Sequence, residues 1–141
     1  MGLDMFLYKR NKNTKEDERE EICYWRKANA ILNWFDHNLN EVKNQNVEEN
    51  ENGFGRDGVQ NTTYYRVSKE EYEKLLSDCK KLLASRKDIP NDLRPTSGFF
   101  FGTYEIDDWY WEDIQNTVKM LEESLPNIDW DNDIVEFYIW Y

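Results

Sequence analysis

The run Thr63–Arg86, TYYRVSKEEYEKLLSDCKKLLASR, carries two periodicities end to end. Thr63 to Val67 is β-branched and aromatic, which predicts a strand. Ser68 follows, with Glu71 three residues on. This is the capping-box pair, in which each side chain satisfies the other residue's backbone N–H. From there to about Arg86, Tyr72, Leu75, Leu76, Cys79, Leu82 and Leu83 recur at steps of three and four, the apolar stripe of an amphipathic helix. A strand feeding straight into a long helix sets the class. The chain mixes both elements, and the helix stripe needs a sheet or another helix to bury against.

Towards the N-terminus, Met1 to Arg10 reads as a short strand holding Phe6, Leu7 and Tyr8, before a polar turn at Asn11–Lys15. Glu16 to about His37 reads as a helix. Trp25, Ala28, Ile31, Leu32 and Phe35 fall on one face at 100° per residue, with Tyr24 beside them. Glu16, Asp17 and Glu18 favour its start by complementing the dipole. Asn38–Thr62 is dense in Asn and Glu, with Gly53, Gly55 and Gly58 and with Leu39, Val42, Val47, Phe54 and Val59 as its apolar anchors. So few anchors predict a mostly mobile loop over about 38–62, either functional or a tolerated insertion.

Towards the C-terminus, a connector with two prolines (Pro90–Ser97) leads to Gly98-Phe99-Phe100-Phe101-Gly102, a buried strand or a tight aromatic loop. Asp107 and Asp108 mark the next helix start. That helix runs to about Ser124 and buries Tyr110, Ile114, Val118, Leu121 and Leu125, and Asp133–Tyr141 closes as a strand. The expected order is β-α-β-α-(β)-α-β. The fold class this predicts is α+β: a single domain over residues 1–141, with a small, mostly antiparallel sheet packed against about three helices.

Composition bounds the rest. The chain has 141 residues, 18 Lys and Arg against 29 Asp and Glu, and a net charge of −11. Mean hydropathy is −0.96. Yet Leu, Ile, Val and Phe supply 32 residues, just above the roughly 20 % level below which disorder is expected. Two cysteines exclude a disulfide framework and suggest a reducing compartment. No apolar run reaches the about 18 residues of a membrane span, and no signal peptide opens the chain, so no membrane partner is expected. The acidic balance argues against general phosphate-backbone binding, and no direct nucleic-acid partner is expected.

Several groups are candidates for chemistry. Arg26, Asn29, Asn33 and His37 would form a polar strip along the first helix, suited to an anionic or amide-bearing ligand. A solvated face with His37 at the helix C-terminus accounts for the same spacing. Trp25-Arg26-Lys27 is a basic island beside an aromatic, able to stack and neutralise a nucleotide, or simply core with charged cover. Cys79 sits on an apolar stripe, while Cys23 points away from the buried face of its helix. On that helix Cys23 and His37 would lie about 21 Å apart, too far for a nucleophilic pair. One His and two Cys do not make a zinc site. Asp129-x-Asp131-x-Asp133 opens like a calcium loop but has Ile134 and Trp140 where Gly and Glu are needed. No metal or cofactor is implied.

At Met1-Gly2-Leu3-Asp4-Met5, at Tyr24-Trp25-Arg26-Lys27-Ala28-Asn29-Ala30-Ile31 with Trp34-Phe35, and at Ser97-Gly98-Phe99-Phe100-Phe101-Gly102, the chain resembles a family of small uncharacterised phage and prophage proteins. The resemblance covers nearly all of the chain apart from the Asn/Glu-rich loop. It implies a small accessory protein in the cytoplasm of an infected or lysogenic bacterium, and it implies no catalytic residues. Relatives carry a His where this chain has Asn33, so no role for His is implied there.

Two functions follow as expectations. The first is a non-enzymatic protein that binds and inhibits a host protein with a basic surface, such as a defence factor. Its contacts would be Asp107, Asp108, Trp109, Trp111, Glu112 and Asp113, since aromatics anchor interfaces and an acidic field steers basic partners. The second is a binder or sponge for a nucleotide-like small molecule. It would stack on Trp25, Trp34 and Phe100 and use Arg26, Lys27, Asn29 and Asn33 for polar contacts. An enzyme ranks last unless a deep pocket sets a buried carboxylate beside His37 or Arg26. Oligomerisation stays open.

The charge is also segregated. Residues 1–104 hold 17 basic and 18 acidic residues, whereas residues 105–141 hold Lys119 against 11 acidic ones. Twelve of the 22 aromatics lie from Gly98 onward. On this reading a basic partner and an anionic ligand address opposite ends of the chain.

Overall fold

A computed structural model describes residues 2–15, 18–45, 58–95 and 105–141. Strand β1 (Asp4–Asn11) pairs antiparallel with β2 (Glu20–Arg26). Helix α1 (Asn29–Asn38), the single turn α2 (Asn40–Lys43), strand β3 (Tyr64–Val67), helices α3 (Lys69–Ser85) and α4 (Asp108–Ser124) and strand β4 (Asp133–Trp140) follow. The described strands make one antiparallel sheet in the order β2-β1-β4-β3. The fold is α+β, with the long helices on one face of that sheet.

Strand alternation sorts the two faces. Met5, Leu7, Cys23, Trp25, Phe137 and Ile139 point inward and are buried under α1, α3 and α4. At the centre, Phe35 of α1 stacks on Phe137 of β4 with centroids 3.8 Å apart. Phe6, Tyr8, Tyr24 and Tyr138 point the other way.

Residues 20–26 depart from the helix expected over Glu16–His37. They pair with β1, Trp25 opposite Met5 and Cys23 opposite Leu7. Ile22, Cys23, Tyr24 and Trp25 are a run of β-formers, and β1 offers them a partner. The turn at Lys27 adopts φ 57°, a left-handed conformation that no α-helix passes through, and its N–H donates to the Leu3 carbonyl at 2.8 Å. Trp25 is buried either way, because alternation happens to give it the same side as helical spacing did. Cys23 and Tyr24 are the corrections. Cys23 is buried instead of pointing away, and Tyr24 is 40 % exposed on the outer face. The polar strip dissolves too, since Arg26 ends a strand while Asn29, Asn33 and His37 share α1.

Elsewhere the elements match the expectation closely. Ser68 Oγ accepts the Glu71 N–H at 3.1 Å and Glu71 Oε1 accepts the Ser68 N–H at 2.9 Å. Asp107 caps α4 through the Tyr110 N–H at 3.1 Å. The expected mobile loop is built in at both ends. Leu39, Val42 and Val59 are buried, and the Asp36 carboxylate accepts the Val59 N–H at 2.8 Å. Asn61 clasps the backbone of Tyr141 through both its donor and its acceptor. Residues 46–57 of that loop, and the triple Phe with its flanking glycines, lie outside the described residues. Among those described, no helix is long and apolar enough to cross a membrane.

Candidate functional site

Where β2 leaves the sheet and α1 begins, the chain opens one wall of a cleft of about 580 Å³. That volume lies within the range of about 300–1,000 Å³ typical of small-molecule sites. Arg26 is the last residue of β2, Lys27 makes the left-handed turn, and Asn29 and Ala30 form the first turn of α1. That turn has no acidic residue and no side-chain cap, so its backbone dipole adds to the two cations. Among the described residues, neither Arg26 nor Lys27 makes an ion pair.

The opposite wall is the start of α4. Glu105, Asp107, Trp109, Tyr110 and Asp113 face the cleft, and Pro95 lies at its edge. Trp109 and Asp113 are four residues apart, so the ring and the carboxyl sit together on one helix face. Trp109 is 75 % exposed. Asp113 is half-buried, and burial first, then the neighbouring Glu112 and Asp107, push its pKa from 3.8 up to about 6. It therefore exchanges its proton close to neutral pH.

The walls are tied from behind. Trp25 donates through Nε1 to Thr117 Oγ1 at 2.8 Å, and the Thr117 hydroxyl donates to the Asp113 carbonyl at 2.7 Å. This bond joins β2 to α4 through the core. Tyr110 donates its hydroxyl to the Leu93 carbonyl at 2.6 Å, and Asn33 Nδ2 donates to the carbonyls of Asn91 and Arg94 at 2.9 and 3.1 Å. Both hold residues 90–95, which bring Pro95 to the cleft.

The predicted site residues thus separate. Arg26, Lys27, Asn29, Asp107, Trp109 and Asp113 converge on one cleft. Trp25, Asn33 and Trp34 do not line it. Trp25 is core, Asn33 holds the connector, and Trp34 is fully buried with Nε1 donating to Asp78 at 3.0 Å. A buried ring offers no face for stacking. Asp108 and Glu112 occupy the adjacent, exposed face of α4, and Trp111 turns away under the Arg86 guanidinium, 5.3 Å from the ring centroid. Phe100 lies outside the described residues. His37 is exposed two turns along α1, its Nδ1 bonded to the Asn33 carbonyl at 2.8 Å.

Two contrasts with the sequence reading stand out. The cationic and acidic candidates, which belong to opposite ends of the chain, form the two walls of one site. Glu105, Tyr110, Ala30 and Pro95 were not foreseen as lining. Tyr110 carries an apolar-stripe signal because one edge of its ring is core and its hydroxyl is spoken for.

Among the described residues, the other candidates for chemistry lie outside the cleft. Burial pushes both thiols, Cys23 and Cys79, up to about 12, so neither ionises near neutral pH. The Asp129–Asp133 loop folds on itself, with Asp129 accepting from the Asp131 N–H and Asn132 Nδ2. Among the described residues, no group of three or more His, Cys, Asp or Glu side chains could hold a metal ion. Comparison with family models, curated proteins and solved structures finds no match to the chain.

Proposed function

We propose that the protein binds a small nucleotide-type molecule in this cleft. The phosphate would meet Arg26, Lys27 and the first turn of α1. The base would stack on Trp109, with its exocyclic amine donating to Asp113. The observation that carries the reading is the split of charge across one cleft, with cations that make no ion pair among the described residues on one wall and a carboxyl beside an exposed indole on the other. A nucleotide has the same split, an anion at one end and a flat, donor-bearing ring at the other. Asp113 shares the cleft with Arg26 and titrates near neutrality, as an acid–base group would. Binding is the function proposed for the cleft, and product analysis in the test below decides whether the bound molecule is also turned over. In the phage setting that the sequence motifs suggest, this is a sponge for a host signal in the bacterial cytoplasm.

A thermal-shift panel of nucleoside mono-, di- and cyclic phosphates tests this. A ligand at 100 times its Kd adds about 2.7 kcal/mol, roughly 8 °C for a chain of this size. At least one nucleotide is expected to give that shift and to be recovered unchanged by chromatography. The double variant Arg26→Ala/Lys27→Ala is expected to lose it. A flat panel contradicts the reading, and a converted nucleotide makes the protein an enzyme instead.

A second reading rests on a different observation. Trp109 and Ile106, 75 % and 41 % exposed, stand beside Asp108 and Glu112 as an acidic ridge with an apolar crest. Such a ridge suits a basic host protein that this one would inhibit. Pull-down with Trp109→Ala and Asp108→Asn variants against the wild type separates it from the small-molecule reading.

A further inference from the structure

The outer face of the sheet carries an unbroken cross-strand row of rings. Register sets Tyr24 of β2 opposite Phe6 of β1, Phe6 opposite Tyr138 of β4, and Tyr138 opposite Tyr64 of β3. Adjacent ring centroids are 5.2, 6.2 and 4.5 Å apart, and Tyr8 stacks on Phe6 at 5.5 Å. Strands lie about 4.8 Å apart, so the row crosses all four of them over roughly 14 Å. No described helix or strand lies over it.

The polar groups around the row indicate what it takes. Glu136 is only 6 % exposed because Arg10 and Arg19 both bond its Oε1, at 2.9 and 3.1 Å. Arg19 also sets its guanidinium over the Tyr64 ring, 3.6 Å from the centroid. Asp4 accepts the Tyr24 hydroxyl. The Asp4 and Glu136 carboxylates are therefore engaged, while Glu21 remains at the β2 edge and Glu41 stands beside Arg66, accepting its backbone N–H at 3.0 Å. Arg26 at one end of the row and Arg66 at the other make no ion pair among the described residues. Ring faces between two unspent guanidiniums match bases between phosphates. Four-stranded sheets with outward aromatics stack two or three bases in this way, and aromatic or arginine planes accept any base. The net charge of −11 opposes backbone binding, so stacking on the rings has to carry the affinity, with the arginines at the ends of the row offsetting the phosphates next to them.

We propose that this face binds a short single-stranded nucleic acid, its bases stacked across the Tyr24–Phe6–Tyr138–Tyr64 row and its phosphates at Arg26 and Arg66. The proposal shares Arg26 with the cleft and otherwise stands on the outer sheet face alone. Fluorescence polarisation with labelled ten-nucleotide U and dT oligomers, beside a ten-base-pair duplex, tests it in about 50 mM salt. Both single strands are expected to bind at least tenfold more tightly than the duplex, and a preference between the U and dT arms identifies RNA or DNA as the source. Phe6→Leu and Tyr138→Leu keep apolar bulk but lose the ring face, and each is expected to weaken binding tenfold with the melting curve retained. Should either fail to fold, Arg66→Gln, exposed and remote from the cleft, is expected to weaken binding several-fold and flatten the salt dependence. No binding of single strands, equal binding of the duplex, or unchanged affinity in the folded variants overturns the proposal. So does a wild-type dimer in sedimentation that Tyr138→Leu dissociates, because the face is then an interface between copies. Loss of oligomer binding with an intact mononucleotide shift in Tyr138→Leu keeps the two sites distinct.

Discussion

Asp113 shows how one residue's surroundings set its chemistry. Its raised pKa means that the folded protein holds the proton more tightly than the unfolded chain does. Stability therefore falls as pH rises from about 4 through about 6, where the unfolded carboxyl has ionised and the folded one has not, and is flat above that. Asp113→Asn removes this penalty. The variant is expected to be more stable than the wild type at pH 7 by about 1 kcal/mol, allowing for solvent screening of a half-exposed group. The gap should close by pH 4. Urea unfolding at the two pH values measures it, and an equal gap at both rules out the titration. None of this was legible in the sequence, where Asp113 was one of several adjacent acids. Helical spacing does separate Asp113 and Trp109 from Asp108 and Glu112, but it does not say which face meets the cleft. Trp25 and Trp34 show the converse. An aromatic beside cations reads as a stacking group, and only packing reveals that both indoles are spent on internal hydrogen bonds.

The elements were legible where local signals agreed and illegible where tertiary pairing chose between them. The start of α3 was readable to the residue, because Ser68 and Glu71 satisfy each other's backbone without help from the rest of the chain. Ser68→Ala is expected to cost about 1 kcal/mol in urea unfolding. A value near zero would show that tertiary packing alone holds the helix start. Residues 20–26 fared differently. Trp25, Ala28, Ile31, Leu32 and Phe35 fit a helical period, and the β-forming run Ile22–Trp25 fits a strand. The choice rests on β1, which is a partner distant in sequence, and on Lys27, which accepts a left-handed turn. That turn is what brings Arg26 and Lys27 to the mouth of the cleft. The misread element is therefore the one that builds the site.

At the scale of the whole molecule, the fold undoes the segregation of charge along the chain. Helix α4 packs beside α3 and against β2, so the acidic C-terminal quarter is laid across the near-neutral body. Opposite charges meet at the cleft, and the outer sheet face keeps its arginines. The α+β class and the strands other than β2 were readable from the sequence. The convergence of positions 26–29 with 105–113 was not, because no local pattern encodes a contact across 80 residues. That convergence forms the proposed ligand site. The six tryptophans give it a direct measurement, a ¹H–¹⁵N correlation spectrum titrated with the nucleotide that stabilises the protein most. The Trp109 indole is expected to move together with the amides of Arg26, Lys27 and Asp113, while the Trp34 indole stays still. Shifts confined to other residues, or no shifts at saturating nucleotide, would contradict it.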